Sequence, residues 1–185
     1  MKLSKIGIFK LMLTLVLIAA SAGNAGTIWL RGGLYDFKDD AAKKFYKLGW
    51  SGRLTYDFVE LRNFTVSLTS GASYSTIPYN TEDHDMLIVP LLFSWKYFIP
   101  VEGSSFRPYF GSGVGAYGKF DSNELFRKNH TSYSYGYHFL SGFTSPVSER
   151  LNASVELNYN TIIPSQKENL NASGFDILLG IGYSF

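Results

Sequence analysis

The chain has 185 residues, enough for one domain and short for two. It carries 17 Lys and Arg against 15 Asp and Glu, and it has no cysteine, which excludes a disulfide framework and a thiolate metal site. Aromatic residues make up 17% of it, yet after residue 25 no window runs apolar for the ~18 residues of a membrane helix, so helical membrane spans are excluded as well.

The first segment reads as a targeting signal. Lys2, Lys5 and Lys10 form a basic head, and Leu11 to Ala20 form an apolar core too short to span a bilayer. Gly23, Asn24 and Ala25 then offer the small residues of a cleavage site. The sequence predicts a signal peptide over 1–25 and a mature start at Gly26, with cleavage after Ala22 as the alternative. Losing three Lys leaves 14 basic against 15 acidic residues, a net charge of −1. No basic stripe remains, so no nucleic-acid partner is expected.

Eight segments then alternate with period two. Over about 27–37, Ile28, Leu30 and Leu34 face one way, and Arg31, Gly33 and Tyr35 the other. Over about 45–58, Tyr46, Leu48, Trp50, Leu54, Tyr56 and Phe58 oppose a set containing Arg53 and Asp57. The third strand, about 63–76, sets Phe64, Val66, Leu68, Ala72 and Tyr74 against Thr65, Ser67, Thr69, Gly71 and Ser73. The fourth, about 85–99, is the least regular. Its second face holds Ser94 and Lys96 but also Ile88 and Leu92. The fifth, about 106–119, places Phe110, Val114 and Ala116 opposite Arg107, Tyr109, Tyr117 and three glycines. The sixth, about 132–145, sets Tyr133, Tyr135, Tyr137, Phe139 and Phe143 against Ser134, Gly136, His138 and Gly142. In the seventh, about 151–163, Leu151, Ala153, Val155, Leu157 and Tyr159 alternate with Asn152, Ser154, Glu156, Asn158 and Asn160.

The eighth strand, 173–185, carries Phe175, Ile177, Leu179, Ile181, Tyr183 and Phe185 on one face. Gly174, Asp176, Leu178, Gly180, Gly182 and Ser184 lie on the other. A wholly apolar strand face ending in an aromatic suits a barrel wall that meets lipid outside and a polar lumen inside. Short turns follow strands 2, 4 and 6, near 60–63, 101–105 and 146–150. Polar loops follow strands 1, 3, 5 and 7, near 38–44, 76–84, 120–131 and 164–172. That asymmetry, and an even strand count that removes free edges, predict an all-β, eight-stranded antiparallel transmembrane barrel over 26–185. A soluble lipocalin-like barrel would keep its bulky residues inside; here the bulky set lies opposite the small, Gly-rich and charged positions.

Ile88 to Phe98 followed by Arg107 to Tyr117 resembles the central hairpin of the small bacterial outer-membrane β-barrel family, which includes OmpA-type transmembrane domains and porin-like proteins. Gly136 to Phe143 and Gly180 to Phe185 are similar to its later strands. The closing residues Ile181, Tyr183 and Phe185 resemble the C-terminal signal by which such proteins are recognised for insertion. The resemblance implies residence in the outer membrane, and barrel assembly machinery and periplasmic chaperones as partners during biogenesis. Full-length OmpA proteins carry a periplasmic peptidoglycan-binding domain after the barrel; here the chain stops at strand 8.

The inward charges Arg31, Arg53, Lys96 and Glu156 are expected at similar depth, with Asp57 and Arg107 nearer the periplasmic mouth and Asp176 higher. An unpaired charge in a narrow interior is costly, so these groups should pair, either as filler that sets register or as the gate of a small pore. Trp95, Tyr97, Phe58, Tyr56, Phe64, Tyr183 and Phe185 read as one interfacial girdle. Tyr46, Tyr74, Tyr133, Tyr135 and Phe175 read as the other. Lys38, Lys43, Lys44, Arg127 and Lys128 in the loops could meet lipopolysaccharide phosphates, although Asp39, Asp40, Asp121 and Glu124 are interspersed.

His130-Thr131-Ser132 resembles the His-x-Ser element of lipid A 3-O-deacylases, which are also eight-stranded barrels. Tyr133 replaces their following Asn, and the nearest downstream acid, Glu149, belongs to the opposite end. His84 and His138 read as a loop residue and a lumen filler, and no metal or other cofactor is expected. The sequence therefore points to a non-enzymatic, monomeric barrel in contact with outer-membrane lipid and lipopolysaccharide. It would anchor short surface loops and support envelope integrity or surface interaction. A narrow pore is the alternative, and a lipid A-modifying enzyme comes after it.

Overall fold

The computed structural model describes residues 26–39, 42, 48–79, 82–123, 128–164 and 171–185, with side chains omitted at 77–79, 82–84, 121–123 and 128–130. The predicted signal peptide, Tyr46, and Asp40, Lys43, Lys44, Glu124 and Arg127 of the predicted loops lie outside the described residues.

Eight antiparallel strands close into a barrel in which each strand pairs with its sequence neighbour. They are β1 (Thr27–Phe37), β2 (Gly49–Leu61), β3 (Phe64–Tyr79), β4 (Glu82–Phe98), β5 (Arg107–Asn123), β6 (Lys128–Pro146), β7 (Leu151–Ile163) and β8 (Gly174–Ser184). The ladder between β1 and β8, from Thr27 opposite Ser184 to Phe37 opposite Gly174, completes the ring and leaves the wall with no open edge. The end that carries Gly26 and Phe185 is the inner end; the opposite end is the outer one.

The alternation predicts the faces. Leu30 is 68% exposed, Val114 62% and Ile181 64%, whereas Arg31 is 2% exposed and Asp176 0%. This pattern is the reverse of a water-soluble domain: large apolar side chains lie outside and charges lie within. No helix among the described residues is long and apolar enough to cross a membrane.

The wall is uneven in height. β3, β4, β5 and β6 run for 16, 17, 17 and 19 residues, against 11, 13, 13 and 11 for β1, β2, β7 and β8. The polar stretches expected as loops at 76–84 and 120–131 instead continue two hairpins, with pairing as far as Tyr79 opposite Glu82 and Asn123 opposite Lys128. Backbone pairing with the neighbouring strand outweighs the weak strand propensity of Asp, Asn and Ser there. The inner turn after β2 shrinks to Arg62 and Asn63, because Val59, Glu60 and Leu61, beyond a bulge that shifts the register after Asp57, still pair with Val66, Thr65 and Phe64. Gly103, in the turn between β4 and β5, adopts a left-handed φ of 69°, a conformation that glycine takes without steric cost.

Candidate functional site

The lumen gathers nearly all of the buried chemistry. Three ion pairs join strands distant in sequence. Lys96 Nζ lies 2.9 Å from Asp57 Oδ1, Arg53 Nη2 3.0 Å from Asp176 Oδ2, and Arg31 Nη2 3.8 Å from Glu156 Oε2. All six side chains are at most 7% exposed. Three cations against three anions leave this belt neutral, which is what a low-dielectric interior requires.

Hydrogen bonds orient each pair. Asp57 uses its second oxygen to accept from Trp29 Nε1 at 2.8 Å. Arg31 donates from Nη1 to Thr55 Oγ1 at 3.0 Å and from Nε to Ser154 Oγ at 3.3 Å, and its guanidinium lies 4.7 Å over the Trp29 ring. Tyr109 donates to Glu156 Oε2 at 2.8 Å. Asp176 is the most enclosed acid of the belt. It accepts from Ser51 Oγ at 2.6 Å and Asn160 Nδ2 at 3.0 Å besides Arg53, and Tyr117 in turn donates to Asn160 Oδ1 at 3.2 Å. Asp57 and Asp176 are thus each held by several donors, and Glu156 by the Tyr109 hydroxyl with the Arg31 guanidinium alongside, a geometry that locks rotamers rather than one that leaves a group free to react.

Chemistry changes toward the outer end. Tyr35, Phe37, Met86, Ile88, Leu92, Tyr117 and Ile162 form one buried apolar cluster above the belt. Tyr35 and Phe37 meet edge to face at 5.1 Å, and the Tyr35 hydroxyl donates to the Ala172 carbonyl. Ile88 and Leu92, which made β4 look irregular, belong to this cap. Toward the inner end the lumen opens into a polar vestibule of about 400 Å³, lined by Thr27, Glu60, Arg62, Arg107, Glu149 and Ser184 among others.

Bulky side chains fit inside the narrow ring because glycines face them. A Cβ at Gly182 would lie 2.6 Å from the Trp29 ring, and one at Gly113 2.6 Å from His138 Cε1. Tyr35, Tyr109 and Tyr117 lie on the lumen face to which their parity assigned them, and Trp29 and Phe37, to which no face had been assigned, join them there. Tyr56 departs from the pattern. It is on the outward face as expected, but only 1% exposed, packed with Ile28, Leu54 and Leu68 and stacked 6.3 Å from Phe185.

A profile of the outer membrane protein β-barrel domain matches residues 9–185. The chain belongs to that family.

Solved barrels of similar shape agree with this membership. Neisserial surface protein A (NspA) superposes with a TM-score of 0.71 at 13% identity, covering 86% of this chain and 97% of its own. The N-terminal β-barrel domain of Pseudomonas aeruginosa OprF gives 0.56 at 15%, covering 88% and 98%. Ail, the attachment invasion locus protein of Yersinia pestis, gives 0.57 at 15%, covering 88% and 99%. At such identities the likeness is one of fold. No curated protein shows significant sequence similarity to the chain.

Within this outer membrane barrel, Arg31, Arg53, Lys96, Glu156 and Asp176 all point into the lumen. Four of them form two pairs with each other, and Lys96 pairs with Asp57. The belt spans several depths rather than forming one ring: Arg53 reaches up to Asp176 and Lys96 down to Asp57. Trp29, Tyr109, Tyr117 and Asn160 complete the network. Inward parity was their only sequence signal. Arg107 lies at the inner mouth, its guanidinium 4.6 Å over the Phe98 ring.

Ile181, Tyr183 and Phe185 lie outward at the closing seam, where Phe185 N donates to the Gly26 carbonyl at 3.1 Å and Arg150 Nη1 to Tyr183 Oη at 3.2 Å. The side chains of His84 and His130 lie outside the described residues. Ser132 pairs with Lys119 on the outer part of β6, whereas Glu149 lines the inner vestibule, so these two are at opposite ends of the barrel. His138 fills the lumen, with Nε2 2.8 Å from Ser94 Oγ.

Proposed function

We propose that the protein is a non-enzymatic outer-membrane barrel that is exported through a cleaved signal peptide over 1–25. It serves as a plugged scaffold anchoring short surface loops for envelope integrity or surface interaction. The observation that carries this reading is the filled lumen: a neutral belt of three buried ion pairs beneath an apolar cap. Eight strands enclose an interior that side chains can fill completely. The enzyme reading lacks this support, because Ser132 and Glu149 are at opposite ends.

Single-channel recording of the folded protein in a planar bilayer tests the proposal. A silent bilayer, with insertion verified, is the expected result. Reproducible current steps that change in Glu156→Gln or Arg53→Gln would replace it with the narrow-pore reading, in which the belt is a gate. Unaltered lipid A mass spectra from expressing cells are expected; a lost acyl chain would reinstate the deacylase.

In this reading the barrel is monomeric, lies in outer-membrane lipid beside lipopolysaccharide, and needs periplasmic chaperones and the barrel assembly machinery to arrive there. Ile181, Tyr183 and Phe185 act as the insertion signal. Deleting Phe185 is expected to lower the amount of assembled protein in outer-membrane fractions; unchanged assembly would remove that role.

A further inference from the structure

The polar vestibule of about 400 Å³ at the inner end is a chamber that a filled scaffold does not require. It also gathers charges of a different kind from those of the belt. The six belt charges are matched in ion pairs, whereas Arg62, Arg107 and Glu149 form none among the described residues.

The two signs stand on different sides of the mouth. Arg62, in the turn after β2, and Arg107, the first residue of β5, flank β3 and β4. Glu149 lies in the turn between β6 and β7. Glu60 is drawn toward β1, because Thr27 Oγ1 donates to its Oε1 at 2.9 Å. Thr27 Oγ1 lies in turn 3.0 Å from Ser184 Oγ, which accepts from Asn152 Nδ2 at 3.2 Å. This row of polar groups crosses β7, β8 and β1 and holds Glu60 on the acidic side.

Two local devices aim the charged groups. Asp57 faces the lumen, so an unbroken strand would turn Glu60 outward. The register shift after Asp57 instead sets Glu60 opposite the lumen-facing Thr65. Arg107 lays its guanidinium 4.6 Å over the Phe98 ring, and Phe98 is packed against Tyr109 and Leu140. That stack occupies one face of the guanidinium and leaves its edge, which carries the N–H donors, for an acceptor.

We infer that the vestibule is a binding site for a small zwitterion of the α-amino acid or short-peptide class. Arg107 and Arg62 hold its carboxylate, and Glu149 and Glu60 hold its ammonium. A guanidinium edge matches a carboxylate through paired N–H donors. Separation of the signs across the mouth favours a ligand that carries both, since a plain anion gains from one side and is repelled by the other. The chamber is of the size that takes a small molecule. Access from the periplasm rests on the inner end facing that compartment; binding by the isolated barrel does not, so the two can fail separately.

The test follows backbone amide shifts of isotope-labelled protein, extracted from outer membranes of expressing cells into non-ionic micelles, as trialanine is added. Saturable shifts centred on Thr27, Thr65 and Asn152 are expected. Acetylating the peptide's amino end, or amidating its carboxyl end, should each weaken binding about three- to fivefold, the size of one ion pair near water. Arg107→Gln should weaken the free peptide by a similar factor and leave the amidated one unchanged. Glu149→Gln should weaken the free peptide and leave the acetylated one unchanged. Both side chains are exposed on the rim, so the spectrum away from the inner end should stay that of the wild type and verify the fold. No saturable shift at millimolar peptide would overturn the proposal. So would blocked peptides that bind as tightly as the free one, or inorganic phosphate that reproduces the shifts at equal affinity, which would reduce the vestibule to an anion site.

Discussion

Around and below Asp176 the lumen is filled mainly by charged pairs; above it, mainly by apolar side chains, with the buried Lys119 opposite Ile88 as the exception. Both halves close the same narrow ring, but they do so with different tolerance for change. In the belt every charged group depends on a named partner at a set distance, as Asp176 does on Arg53, Ser51 and Asn160. In the cap, Ile88, Leu92 and Ile162 need only the right volume, because dispersion and burial have little directionality. The contrast teaches that filling a barrel with ions makes it specific rather than strong.

Breaking the belt should therefore have the largest effect. Asp176→Ala leaves the Arg53 guanidinium buried without its carboxylate, and a loss of ~3–5 kcal/mol is expected in urea unfolding followed by tryptophan fluorescence. Replacing both partners, Arg53→Met with Asp176→Leu, should recover most of that loss, because no orphan charge remains. A double variant as unstable as the single one would show that the pair itself stabilises the barrel.

Next in size comes the wall that separates lumen from lipid. Leu157→Arg on the outward face should cost ~2–4 kcal/mol near the bilayer midplane and impair insertion. Asn152→Arg, on the same strand but facing the open polar vestibule, should be milder in the same refolding assay. Equal damage at the two positions would contradict the two-faced wall.

Changes in the cap should be smaller still. Ile88→Val removes one methylene from the buried cluster and should cost ~0.5–1.5 kcal/mol. At the junction of the two halves, Tyr117→Phe deletes only the hydroxyl that donates to Asn160, and a loss of about 1 kcal/mol or less is expected. A Tyr117→Phe variant as damaged as Asp176→Ala would mean that belt and cap act as one network.

Particular strands show how far sequence reasoning reaches. The expected bounds of the seventh strand, 151–163, coincide with β7, because apolar and polar residues alternate there without interruption. The same logic placed Arg31, Arg53, Lys96, Glu156 and Asp176 inside. It stopped too early on β3 through β6, where Ser, Asn and Asp at the outer ends resemble loop residues but are held in hairpins by their neighbours. It also left Ile88 and Leu92 as an irregularity, since a cap exists only where residues from several strands meet. Trp29 was passed over because the facing space made by Gly182 lies across the closing seam, far along the chain.

By itself, then, the sequence determined the number of strands, their closure and the face to which most strand side chains turn. These follow from a period of two and from alternating turns, and both are local properties. The tertiary structure decided which lumen charge meets which. Arg53 and Asp176 are 123 residues apart, and only the stagger of neighbouring strands around the closed ring brings them to 3.0 Å. Parity assigns a direction but not a height, and in a tilted barrel it is height that selects the partner.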